Sequence, residues 1–134
     1  MTKKIYIDSC VLILALKASE DAIASRAIAE ISQDDAEYFF SPVTVLEVMP
    51  APMRNGKHEQ VEFYDAWFGT AKQIWYDDTV HQNAVEQATK HAIQPLDAVH
   101  VASAIVAGAS ELVTAEKATK PMFTSTEMKV RSIR

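Results

Sequence analysis

Short β-prone apolar runs alternate along this chain with longer stretches of helical period. The runs are Ile5-Tyr6-Ile7, Tyr38-Phe39-Phe40, residues 73–76, Glu111-Leu112-Val113-Thr114 and residues 128–133. A parallel strand pair needs a long crossover, usually a helix, so this alternation predicts a mainly parallel α/β sheet. The first run ends on Asp8 and Ser9, and a second apolar run starts at Val11. The pattern predicts a buried first strand over residues 4–8 that carries Asp8 to the sheet edge where ligands bind in such folds. Asp8 taken alone is equally a helix N-cap.

The intervening helices have recognisable ends. Residues 11–17 form a short apolar helix. Ser19-Glu20-Asp21 starts the next, which runs to Gln33 with Ile23, Ala27, Ile28 and Ile31 on one face. Ser41-Pro42 opens a third, which holds Glu47 and is predicted to stop at Pro50 and Pro52. In residues 58–70, Val61, Tyr64 and Phe68 line one face beside Phe63 and Trp67, which reads as core or a dimer surface. Asp77-Asp78-Thr79 caps a helix to about Lys90, with Val80, Ala84, Val85 and Ala88 as its buried stripe. After a connector at residues 93–96, Asp97 opens a small-residue helix closed by Gly108.

At 134 residues and 49% hydrophobic, the chain fits one domain, residues 1–134, with a sizeable core. No apolar run approaches the ~20 residues of a membrane span. Lys3-Lys4 leads into an apolar run broken by Asp8, a poor signal peptide, and the one cysteine, Cys10, suits a reducing compartment. The expectation is a cytosolic protein. A net charge of −5 lacks the basic surplus of an ordinary RNA-binding module. That objection weakens if the acids converge on a cation that faces phosphate. From Glu116 onward, five basic residues stand against two acids.

Asp8, Glu47, Asp97 and Glu116 all fall at strand ends or in the helices that follow. In a parallel sheet those places share one edge. Carboxylates crowded there raise one another's pKa, and a hard divalent cation relieves the conflict. Zinc fits less well: Cys10 has no second cysteine, and His58, His81, His91 and His100 form no HxxxH pair. No phosphate-binding glycine loop or nucleophile elbow occurs. Ser9 is placed to orient Asp8 and Thr114 to steady the fourth strand's turn, though local capping explains both equally. His100, one turn beyond Asp97, borders the cleft or the core.

Four segments resemble the PIN domain family, and within it the VapC-type toxin ribonucleases. They are Tyr6-Ile7-Asp8-Ser9, Thr44-Val45-Leu46-Glu47-Val48, Leu96-Asp97-Ala98-Val99-His100-Val101-Ala102-Ser103-Ala104 and Leu112-Val113-Thr114-Ala115-Glu116, in matching order and spacing. The resemblance implies a three-layer α/β/α sandwich and an Mg²⁺- or Mn²⁺-dependent endoribonuclease. The family's first three acids fall on Asp8, Glu47 and Asp97. Its fourth, usually Asp or Asn, falls on Glu116, and a further downstream acid has no counterpart, since Ala118 and Thr119 stand there. Asp8, Asp97 and Glu116 are then the metal ligands, with Glu47 completing the ring. Arg54, Lys57, Lys117 and Lys120 are candidates for RNA backbone contacts. The resemblance further implies an antitoxin protein whose tail plugs the cleft, and a homodimer, for which the apolar face of residues 58–70 is a contact surface. Two other readings stay open: a PIN-like scaffold or RNA clamp without catalysis, and a phospho-aspartate receiver, for which a second acid beside Asp8 and a lysine ending strand five are missing.

Overall fold

The computed structural model describes residues 2–17 and 21–134. Five strands form one sheet: β1 (Lys3–Ile7), β2 (Ala36–Phe40), β3 (Lys72–Gln73), β4 (Glu111–Thr114) and β5 (Val130–Ser132). Their order is β3-β2-β1-β4-β5, and every neighbouring pair is parallel. Ile5 stands opposite Tyr38 on one side and Glu111 on the other. The chain runs outward from β1 through β2 to β3, then crosses back to place β4 on β1's free side. The β1–β4 boundary is therefore the switch point, where adjacent connections diverge and leave a crevice at the strands' C-terminal ends.

Period-two alternation divides the core between the two faces. Ile5, Ile7, Tyr38, Phe40 and Val113 pack under α1 (Ser9–Ala15), α2 (Ala22–Ile31) and α5 (His58–Thr70). Tyr6, Phe39 and Leu112 pack under α6 (Asp78–His91) and α7 (Pro95–Ala107). Helices on both faces of a fully parallel sheet give the three-layer α/β/α arrangement. Two shorter helices, α3 (Pro42–Val48) and α4 (Pro50–Arg54), follow β2, and a 3₁₀ turn at Pro121–Thr124 precedes β5.

Several local expectations need correction. The first helix starts at Ser9 because Asp8 caps it, accepting from the Ser9 amide at 2.8 Å. Asp8 thus ends the strand and caps the helix at once. Of the predicted start of α2, Ser19 and Glu20 lie outside the described residues, while Asp21 is its cap, accepting from the Ala24 amide at 2.7 Å. The helix holding Glu47 ends at Val48, just before Pro50 as expected, but the two prolines also start a further helix. They occupy the first turn of α4, where a missing N–H costs little, and Met49 links the two helices in helical geometry. The third strand covers Lys72–Gln73 and leaves Trp75 and Tyr76 exposed. On α6 Val80 and Ala84 are buried as expected, but the third buried side chain is Gln87, which donates to Glu127 and accepts from Ser125, while Val85 faces outward. Of the two readings of α5, the structure bears out the core one for Tyr64 and Trp67, which are buried in the chain's own core with the half-buried Phe63 and Phe68 packed beside them. The last of the small-residue helix is as expected, with Gly108 at φ +72° as its left-handed cap.

A carboxylate cleft at the switch point

A cleft of about 310 Å³ opens at the C-terminal ends of β1 and β4, lined by Asp8, Ser9, Cys10, Ile13, Glu47, Asp97 and Glu116. Asp8 reaches it as the last residue before α1. Glu47 comes from the final turn of α3. Asp97 sits in the first turn of α7, two residues inside Pro95 rather than opening the helix. Glu116 follows β4 by two residues. The four acids therefore share one mouth because β1, β2 and β4 are adjacent and parallel.

Hydrogen bonds fix the deepest acid. Asp8 is 4% exposed. Its Oδ1 accepts from the Ser9 amide at 2.8 Å, and its Oδ2 accepts from the Thr114 hydroxyl at 2.7 Å. Thr114 in turn accepts from the Glu116 amide at 3.1 Å, so one threonine ties the first acid to the loop of the fourth. The Ser9 hydroxyl donates to Glu47 Oε1 at 2.9 Å and lies 3.5 Å from Asp8. It orients the second acid more than the first. The C-terminal edge completes the loop's support, with the Ser132 hydroxyl donating to the Glu116 carbonyl at 2.7 Å.

The sequence places His100 only at the border of the cleft or the core. It is 1% exposed, yet it joins the acids from beneath. Its Nε2 stands 2.6 Å from Glu47 Oε1 and 3.6 Å from Asp8 Oδ1. Its Nδ1 stands 2.8 Å from the Tyr6 phenol oxygen, and Tyr6 gives its one hydroxyl proton to Ser41 Oγ at 2.9 Å. Nε2 faces a carboxylate and donates to it, and the imidazolium form lets Nδ1 donate to the phenol oxygen as well. Burial alone would lower the His100 pKa. The Tyr6 contact, the Glu47 hydrogen bond and the Asp8 charge outweigh it and raise the pKa well above the ordinary value. The converse holds for Glu47: burial pushes it up, but the His100 hydrogen bond and charge bring it below the usual range. The sequence held one signal for this: Asp97 and His100 share a helix face, and His100 is the large polar residue on a face otherwise lined by small and apolar ones.

Asp97 is perturbed the other way. Burial and the Asp8 charge raise its pKa, against the opposing charges of Lys120 and His100. Lys120 Nζ lies 3.6 Å from Asp97 Oδ2. Cys10 borders the cleft as a protonated thiol, pushed up to about 12 by burial and the Asp8 charge. Of the other predicted RNA-contact residues, Lys117 is exposed beside the cleft's rim in sequence, while Arg54 and Lys57 are exposed around the turn between α4 and α5.

The carboxylates of the cleft suit a hard divalent cation. Asp8 and Glu47 oxygens and the His100 nitrogen lie within 4.8 Å of one another; His100 donates to Glu47 and so supports the acids rather than acting as a ligand, and Asp97 and Glu116 add two more carboxylates to the same cleft. An oxygen-rich set of crowded like charges is the chemistry that a hard divalent cation answers.

Comparison with known proteins places this geometry. The family model of the PIN domain matches residues 5–120. No curated protein matches the chain in sequence. Among solved structures, a chain of VapBC2 from Rickettsia felis, bound to a DNA fragment from its promoter, superposes with a TM-score of 0.74 at 14% identity, covering 96% of this chain and 98% of that one. A toxin-antitoxin complex from Klebsiella pneumoniae gives 0.74 at 20% identity, covering 97% and 98%. VapC20 of Mycobacterium tuberculosis, a toxin that cleaves the sarcin-ricin loop, gives 0.67 at 16% identity, covering 92% and 98%. Likeness at these identities establishes the fold.

Proposed function

The chain belongs to the PIN domain family, and we propose that it is an Mg²⁺- or Mn²⁺-dependent endoribonuclease acting as the toxin of a toxin-antitoxin pair. The observation that carries this reading is the meeting of Asp8, Glu47, Asp97 and Glu116 around one cleft at the sheet's switch point. In this reading Asp8, Asp97 and Glu116 hold the cation. When bound, the ion polarises a phosphate oxygen and makes a nearby water acidic. Glu47, held ionised by His100 and oriented by Ser9, positions the attacking water at the cleft mouth. A carboxylate with a lowered pKa is a weak base, so orientation is its main contribution. Thr114 keeps Asp8 and the Glu116 loop in register. Lys117 and Lys120 meet the phosphate backbone near the cleft, and Arg54 and Lys57 meet it farther along.

RNA with an exposed loop is the substrate class that fits an open cleft, since unstacked nucleotides enter where a duplex cannot. The related fold of a toxin that cleaves the sarcin-ricin loop supports the same class. The antitoxin reading has a surface to match. A second groove, lined by Ile13, Leu16, Val48, Ala51, Pro52 and Tyr64, joins the acidic cleft through the shared Ile13 and Glu47. A partner segment with apolar residues followed by a basic one would fill both. With Tyr64 and Trp67 of α5 turned into the core, a homodimer also has use of an exposed apolar face elsewhere. Tyr76, Val85 and Leu96 are half exposed and Trp75 is 67% exposed, and they provide one.

Asp8→Asn separates this reading from an inert scaffold. Wild type should bind Mg²⁺ in a calorimetric titration and cut loop-containing RNA. The variant should keep its fold by circular dichroism and lose both. Full cleavage by purified Asp8→Asn would refute the metal-site mechanism.

A further inference from the structure

The four acids of the cleft are not compensated alike. Asp8 has the Ser9 amide and the Thr114 hydroxyl; Glu47 has the Ser9 hydroxyl and His100. Asp97 has neither kind of donor. Among the described residues its one ion pair is to Lys120, Nζ to Oδ2 at 3.6 Å.

Lys120 is not a loose surface lysine. Its amide donates to the Lys117 carbonyl at 3.0 Å, and its carbonyl accepts from the Phe123 amide at 3.1 Å. It caps the 3₁₀ turn at Pro121–Thr124, which is pinned by Met122 at 1% exposure. The ammonium therefore leaves an anchored backbone, and its side chain is 38% exposed. The loop between Glu116 and Lys120 carries Lys117, Ala118 and Thr119 and no further acid.

Resting on the metal-dependent reading above, we propose that Lys120 is the resident cation at Asp97, on the rim of the cleft, compensating that acid and limiting the site to one divalent ion per chain. Two neighbouring dications repel, and only carboxylate charge left uncompensated holds the second. A fixed ammonium at Asp97 takes up that charge. It is also a point charge suited to a phosphate oxygen, so it supplies the electrostatic stabilisation that a second ion would give in a two-metal site.

The test counts ions. Metal-free protein is titrated with Mn²⁺, and free Mn²⁺ is followed by electron paramagnetic resonance, for wild type, Lys120→Arg, Lys120→Ala and Lys120→Glu. Circular dichroism checks that each is folded. Wild type and Lys120→Arg should bind one ion per chain. Lys120→Ala and Lys120→Glu should bind two, and wild type should recover little or no activity from Mn²⁺ beyond the first equivalent. Two ions in wild type, or an unchanged count in Lys120→Ala, would overturn the role of Lys120 and leave the metal-dependent reading standing. No Mn²⁺ bound by any of the four would remove both.

Discussion

Replacing His100 by alanine tests how the acidic cleft is held together. The imidazole is 1% exposed and connects Tyr6 to Glu47, with Asp8 3.6 Å away. Its loss removes a charge-assisted hydrogen bond of 2.6 Å, leaves the Tyr6 phenol oxygen without its donor, and opens a void beneath the cleft. A hydrogen bond to a charged group contributes about 1.5–3 kcal/mol, and the void adds to that. The Glu47 side chain is 32% exposed, so water recovers part of its loss, which sets the expected cost near the low end. Destabilisation of about 3 kcal/mol follows, or roughly a 10 °C fall in Tm for a domain of this size. Urea denaturation of metal-free protein would measure it. A cycle with Glu47→Ala isolates the pair, with an expected coupling of about 1–2 kcal/mol. A coupling below about 0.5 kcal/mol would refute the claim that His100 holds Glu47.

The same contact gives a pH dependence. The folded pKa of His100 lies above its unfolded value, so its stabilisation is complete below pH 6.5 and is lost as pH rises through the folded value. Metal-free Tm should fall as pH is raised above 6.5, and His100→Ala should flatten that slope; a wild-type Tm that holds constant or rises would contradict the imidazolium. Glu47, Glu111 and Glu127 have lowered pKa values, so their contributions are lost only on acidification below 4.5 and leave the alkaline slope alone. A separate prediction concerns Ala92, the cap of α6 at φ +53°. Glycine is at ease there, and Ala92→Gly should stabilise by about 0.5–1 kcal/mol in urea denaturation; destabilisation would show that the left-handed cap is not strained.

Much of the fold was legible because two periods alternate along the chain. Ile5-Tyr6-Ile7 and Tyr38-Phe39-Phe40 read as strands, and the helix ending at Gly108 read from its small residues and its cap. Strand ends in a parallel sheet share an edge, so the convergence of Asp8, Glu47, Asp97 and Glu116 followed from their places in the pattern. What sequence left open depends on packing. His100 meets Glu47 only because α7 lies against the end of α3, and nothing in the period of either helix states that. The face of α5 read as core or a dimer surface because amphipathicity does not say whether a helix covers its own sheet or another chain. Pro50 and Pro52 looked like stops because a proline that ends one helix also suits the first turn of the next. Gln87 took a buried place from Val85 because Ser125 and Glu127 satisfy its amide, a contact made across 38 and 40 residues of chain.

The most direct test of the central claim is cleavage of a pool of folded RNAs by wild type and Asp97→Asn, each with Mg²⁺, with Mn²⁺ and with EDTA. Wild type should make discrete cuts in either metal and none in EDTA, and the variant should make none. Cuts that persist in EDTA, or equal cutting by Asp97→Asn, would contradict a carboxylate-metal nuclease.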